Sequence, residues 1–337
     1  MEERNKKLNN KKNKKLKISL ISIFFIILFL VGFGALYIYN SLNKVENDKI
    51  SKSNEDVGIE QETLDKFTGK DKIINIALFG VDNRNSEDKG RSDSIMIFTV
   101  DKVTKKLKMS SLMRDSYVNI EGRGKDKINH AYAFGGPQLA IKTINKNFQL
   151  NIRDYVTVDF GNMEDIIDSL DGIILNIRQD ELKYINSYIT ELSTLKKVTP
   201  PLITQTGNQR VNGIQGVAYS RIRYTSGGDY ERTERQRIVL ESLLNKIKSS
   251  GITQYPSIVN KLLPYVKTSL TSSDILKIGT DVLTSGITKI EQERFPVDGY
   301  CNGNYINKIW YLQFDEPATK DQIYKYIFED IKPVAKK

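Results

Sequence analysis

A single cysteine, Cys301, stands in 337 residues. No intrachain disulfide can form, and zinc fingers, CxxC redox pairs and disulfide-stapled scaffolds are excluded. Histidine is equally scarce: His130 is the sole copy, which removes His-rich metal sites and leaves any Ser-His-Asp triad dependent on one residue. There are 8 prolines and 22 glycines, too few for collagen-like or low-complexity architecture. GxxxxGKS/T, GxGxxG and GxSxG are all missing. Chemistry in this chain therefore runs on carboxylates, arginines, hydroxyls or a bound metal ion.

The net charge is +10, and it is unevenly spread. Residues 1–17 carry Arg4, Lys6, Lys7, Lys11, Lys12, Lys14, Lys15 and Lys17 against Glu2 and Glu3, so most of the excess sits in a short basic tail. The remainder is only mildly basic, and no nucleic-acid partner is expected. From Ile18 to Asn43 there is no charged residue. The apolar run 18–39 spans about 33 Å as a helix, enough for a hydrocarbon core of ~30 Å. It is longer than a signal-peptide core and lacks a small-x-small cleavage site. The expectation is an uncleaved transmembrane helix with Tyr37 and Tyr39 at its far interface. The basic tail places the N-terminus in the cytoplasm and the rest of the chain outside. Residues 40–70 read as a polar, partly disordered juxtamembrane spacer, and 71–335 as one extracellular domain.

Strands are expected at 73–80, 94–100, 107–113, 155–160, 172–177 and 289–297. Helices are expected at 137–148, beginning at Pro137, and at 162–170, 213–221, 229–249, 254–263, 272–282 and 318–330. Strands alternating with helices argue an α/β fold, with antiparallel strands near the start.

Two groups of residues carry candidate chemistry. If the first three strands are consecutive antiparallel neighbours, Asp82, Arg84, Arg91, Asp93, Arg114 and Asp115 collect at one sheet edge. Three carboxylates and three guanidiniums there suit a divalent cation with an anionic ligand, since Mg²⁺ is held by one or two carboxylates plus substrate phosphate. A solvated loop of exposed ion pairs is the alternative. The second group is compositional. The chain has 37 Lys and 14 Arg, yet 210–237 contains six Arg and no Lys. Arginine grips phosphate in two places and keeps its charge. On the helix 229–249, with Asp229 as its cap, Gln236 falls in the middle of the apolar stripe and Arg232 near its edge. Arg235 lies about 60° further round, and Glu234 and Arg237 point away. An inward Arg needs a partner, and structural Arg–Asp pairing would also supply one. His130 reads as structural.

GVDNR (80–84), RSDS (91–94), SLMRDS (111–116), INHAYAFGG (128–136) and SRIRY…GDYERTERQR (220–237) resemble, in order and spacing, the motifs of the LytR-CpsA-Psr family. That resemblance implies a central mixed sheet flanked by helices, preceded by one N-terminal transmembrane helix. It implies an extracytoplasmic phosphotransferase moving teichoic acid, capsular or related polymers from a polyprenyl pyrophosphate carrier onto peptidoglycan. It implies Mg²⁺ (or Mn²⁺) at Asp82 and Asp93, with Arg114 catalytic beside them. Arg84, Arg91, Arg114, Arg221, Arg223, Arg232, Arg235 and Gln236 are then the pyrophosphate contacts, with either Arg232 or Arg235 in the inner position. A hydrolase using water as acceptor, or a non-enzymatic polyanion-binding regulator, fits the same residues.

Overall fold

The run IINIALFGV is apolar on both faces, as a strand buried between two layers requires. It forms β1 (Ile73–Val81), an interior strand of a six-stranded sheet. The computed structural model describes residues 49–67, 72–81, 90–199, 202–225, 227–287 and 289–336. In chain order its elements are α1 (Gln61–Phe67), β1, β2 (Ser92–Asp101), β3 (Lys106–Leu112), β4 (Tyr117–Ile120), β5 (Gly124–Lys127) and α2 (His130–Phe148). Then come β6 (Asp154–Asp159), α3 (Phe160–Ser169), β7 (Ile173–Ile177), α4 (Leu182–Lys196), β8 (Gly207–Val211), α5 (Gly213–Arg221), α6 (Gly228–Ser249) and α7 (Gly251–Leu262). The chain closes with β9 (Val266–Thr268), α8 (Ser272–Thr284), β10 (Lys289–Phe295), β11 (Cys301–Ile306), β12 (Ile309–Phe314) and α9 (Glu316–Phe328).

The main sheet has the order β10-β3-β2-β1-β6-β9. β1, β2 and β3 are consecutive antiparallel neighbours, while β1 pairs with β6 and β3 with β10 in parallel. The sheet is mixed, as the sequence leads one to expect. One end of it gathers the C-terminal ends of β1, β3, β6 and β10 with the N-terminal end of β2.

The two faces differ. Ala77, Phe79, Ile95, Ile97 and Tyr155 pack on α2 and α9 in one dry core. A second core joins α3, α4, α5, α6, β7 and β8. Several expectations shift. The helix read from Pro137 starts at His130 and is broken at Gly135 and Gly136, so Pro137 opens its second segment. Strand β7 is not in the main sheet; it pairs with β8 in a separate ribbon. Within the stretch read as a spacer, residues 49–67 are packed, with Val57, Ile59 and Phe67 buried in the first core. Their apolar side chains are too widely spaced to show a period. Among the described residues no helix is long and apolar enough to cross a membrane; the basic tail and the span expected at 18–39 lie outside the described residues.

Candidate active site

Antiparallel order decides where the charges meet. Asp93 opens β2 and Arg114 follows β3, so both stand at the same end of the sheet. Arg114 Nη1 donates to Asp93 Oδ1 at 2.5 Å. Its Nε lies 3.6 Å from Asp115 Oδ2 and its Nη2 3.9 Å from Asp229 Oδ1. The second oxygen of Asp115 takes Lys127 Nζ at 2.6 Å. Burial works against the Arg114 charge, but Asp93, Asp229 and Asp115 outweigh it and raise its pKa.

Helices α5 and α6 bring the arginine-only window to the same place. Asp229 is the hub: Arg232 Nη2 lies 2.9 Å from its Oδ1 and Arg223 Nε 3.6 Å from the same atom. Arg232 is buried, and burial pushes its pKa down to about 10. Asp229 partly offsets this, while Arg114 and Arg223 push it the same way as burial. The Nε atoms of Arg114 and Arg232 are buried without a hydrogen-bond partner among the described residues. The positive end of the α6 dipole points here as well. Three guanidiniums face three carboxylates here, and the helix N-terminus and the unspent Nε donors leave room for an anion with several oxygens. Arg221, at the end of α5, is held by α4 instead. Its Nη2 lies 3.1 Å from Glu191 Oε1 and its guanidinium 5.1 Å from the centre of the Tyr188 ring.

Gln236 faces inward, as its place in the stripe predicts. It lines a cavity of about 150 Å³ with Gly80, Ser94, Met96, Ser220 and Val239. A larger cavity of about 310 Å³ lies beneath α6, α7 and α8, among Phe98, Leu107, Leu244, Ile258, Val282 and Ile290. Val156 lines both. These cavities occupy the sheet face opposite the dry core.

Other residues go elsewhere. Arg235 is buried away from Asp229. Its Nε donates to Glu181 Oε1 at 2.8 Å, its Nη2 to Glu231 Oε2 at 2.7 Å and its Nη1 to the Ile222 carbonyl at 3.2 Å. Between the two candidates for the inner position, Arg232 is therefore the one at the hub and Arg235 is committed to two carboxylates. Glu181 carries no signal in the sequence, because it stands at the start of α4 while its partner Arg235 lies on another helix. Arg237, expected to point away, is buried against Gln292 of β10; β10 covers a helix face that an isolated wheel leaves in water. Asp229, expected as the cap of α6, sits inside its first turn, and Gly227 occupies the cap position. Its carboxylate is thus free to serve the arginines. Arg91 is exposed. Asp82 and Arg84 lie outside the described residues. His130 Nδ1 lies 2.7 Å from Asp126 Oδ2, holding α2 to β5.

A family model, LytR_cpsA_psr, matches residues 34–326. The regulatory protein MsrR of Staphylococcus aureus is 33% identical over 303 residues, covering 88% of this chain and 86% of that protein. The polyisoprenyl-teichoic acid–peptidoglycan teichoic acid transferase TagU of Bacillus cereus is 30% identical over 319 residues, covering 91% and 95%. The structure of YwtF (TagT) with bound octaprenyl pyrophosphate lipid, a Bacillus subtilis protein, superposes with a TM-score of 0.58. It is 23% identical and covers 76% of this chain and 91% of that one, a likeness of fold.

Proposed function

The chain belongs to the LytR-CpsA-Psr family, and on that premise we propose that it is a membrane-anchored transferase. It moves a cell-wall glycopolymer from a polyprenyl diphosphate carrier to a sugar hydroxyl of peptidoglycan. The observation that carries this reading is the hub itself: half-buried Arg114 and buried Arg232 hold unspent Nε donors beside Asp93 and Asp229. A diphosphate supplies the oxygens those donors lack. The adjoining cavities suit an isoprenoid, since they are lined almost wholly by apolar side chains and open beside Gln236 and Ser94. TagU is named as a transferase of this kind, and YwtF (TagT) holds octaprenyl pyrophosphate.

The acceptor hydroxyl attacks the phosphorus that bears the glycopolymer. The bond between the two phosphates breaks, polyprenyl phosphate leaves, and the hydroxyl proton passes to a carboxylate, Asp82 or Asp93. No protein nucleophile is required, in keeping with one histidine and one cysteine. Arg114, Arg223 and Arg232 steady the oxygens as charge moves toward the leaving phosphate. Asp93 fits a divalent cation in chemistry, because Arg114 engages only its Oδ1. Asp93 and Asp82 would hold Mg²⁺ or Mn²⁺, which when bound neutralises phosphate charge. The basic tail keeps the N-terminus in the cytoplasm and this domain outside.

Asp93→Ala and Arg114→Ala should each lower transfer of polymer to peptidoglycan by roughly 10²–10³-fold, with folding retained by circular dichroism. Unchanged transfer in either variant overturns the reading. Release of polyprenyl phosphate at equal rates with and without peptidoglycan fragments would identify a hydrolase instead.

A further inference from the structure

The β11–β12 ribbon has an aromatic tip that neither core explains. Tyr305 and Trp310 are cross-strand partners, and Tyr305 is 71% exposed. Asn307 and Lys308, both at positive φ, make the tight turn beyond them. On the same face nearer the root, Leu312 is fully buried, so the ribbon is anchored at its base and open at its end. The Trp310 indole lies against Gly303, where any Cβ would stand 2.8 Å from Nε1 and Cζ2. Exposed amides, Asn302, Asn304 and Gln313, lie on the opposite face of the ribbon, with Asn304 bonded to Gln313.

Side-chain and backbone contacts tie this ribbon to the reaction centre. Lys127 Nζ lies 5.9 Å from the centre of the Trp310 ring and 2.6 Å from Asp115 Oδ1, the neighbour of Arg114. Cys301 Sγ lies 3.9 Å from the hydroxyl of Tyr230, the neighbour of Asp229. Leu312 N also donates to the Asp115 carbonyl at 2.9 Å, so the ribbon joins one flank of the hub directly and reaches the other through Tyr230. None of the ribbon's residues lines either apolar cavity.

We propose that Tyr305 and Trp310 form the platform on which the acceptor glycan strand lies while its hydroxyl reaches the diphosphate. Flat aromatic rings match the C–H faces of pyranose sugars, and tyrosine and tryptophan give large contact area at low entropic cost. This inference rests on the transferase reading and adds the binding site for its second substrate.

Trp310 is the chain's sole tryptophan, so its emission reports this site alone. The full chain in detergent is titrated with a peptide-free tetrasaccharide of alternating N-acetylglucosamine and N-acetylmuramic acid. A saturable change in emission is expected, weakened about tenfold by Tyr305→Ala. In the transfer assay both Tyr305→Ala and Trp310→Ala should raise the acceptor KM by about tenfold, with a smaller effect on kcat. Tyr305 is exposed enough that its loss leaves the fold intact, which keeps the test decisive if Trp310→Ala misfolds. Polyprenyl diphosphate binding is followed on the same wild-type sample by calorimetry. If the donor binds while tryptophan stays silent and Tyr305→Ala keeps the acceptor KM, the platform is wrong and the transferase reading stands. If the glycan shifts the tryptophan but no donor binds, the glycan site stands and the transferase reading falls.

Discussion

Arg232 and Arg235 sit three residues apart on one helix, yet they do different work. Arg232 faces Asp229 and keeps a donor unspent. Arg235 is saturated by Glu181, Glu231, Thr225 and the Ile222 carbonyl. It thereby fastens the 222–227 loop, which carries Arg223, to α4 and α6. Glu231 is the acid-sensitive member of that knot. The Thr225 hydroxyl, then Arg235, hold its pKa down at about 2 against the opposing pull of burial. A carboxylate held below its ordinary range of ~4.3 stabilises the fold fully above that range. The contribution fades as pH falls toward 2. Urea unfolding between pH 5.5 and 3 should therefore lose stability more steeply in the wild type than in Glu231→Gln. Parallel slopes would show that Glu231 is not part of the acid response.

At the scale of elements, α5 reaches the site because it crosses α3 closely. Gly213 lies on the Glu164 carbonyl, so that a Cβ there would collide with backbone, and Gly216 lies on Ile167. Gly213 N donates to Asp168 Oδ1 at 2.7 Å, and Asn212 and Gln215 form a capping box. The helix was legible in NGIQGVAYS, but the reason for its two glycines was not, since a crossing partner has no signature in the crossing helix. Gly213→Ala should reduce stability by roughly 1–3 kcal/mol through overpacking, measured by chemical denaturation. It should also weaken diphosphate binding, because Arg221 ends this helix. A neutral effect on stability would mean that the two helices separate freely.

The molecule as a whole divides its sheet between two duties. One face carries a packed core against α2 and α9, and the other carries the two cavities under α6, α7 and α8. Val156 of β6 borders both cavities, so a larger side chain there should close the path from the hub to the deeper space. Val156→Phe is expected to weaken binding of a long-chain polyprenyl diphosphate by about tenfold or more, given ~0.8 kcal/mol per buried methylene. Geranyl diphosphate, which needs only the shallow cavity, should bind as before. Equal losses for both lipids would place the isoprenoid elsewhere.

The sequence by itself determined the α/β alternation, the antiparallel opening of the sheet and the meeting of Asp93 with Arg114. Each follows from local periodicity and from a turn too short to allow any other connection. Helical period also placed Arg232 and Gln236 inward, but the same period set Arg237 outward, and β10 buries it. Tertiary structure decided the rest. Whether Arg232 or Arg235 stands at the hub depends on Glu181, which lies on a separate helix. That Asp229 binds arginines rather than capping its helix depends on what faces it across the cleft. The nearness of Trp310 to Asp115 depends on a backbone bond from Leu312 to Asp115, 197 positions earlier in the chain. Contacts between elements distant in sequence leave no period to read, and it is those contacts that turn a row of charges into a site.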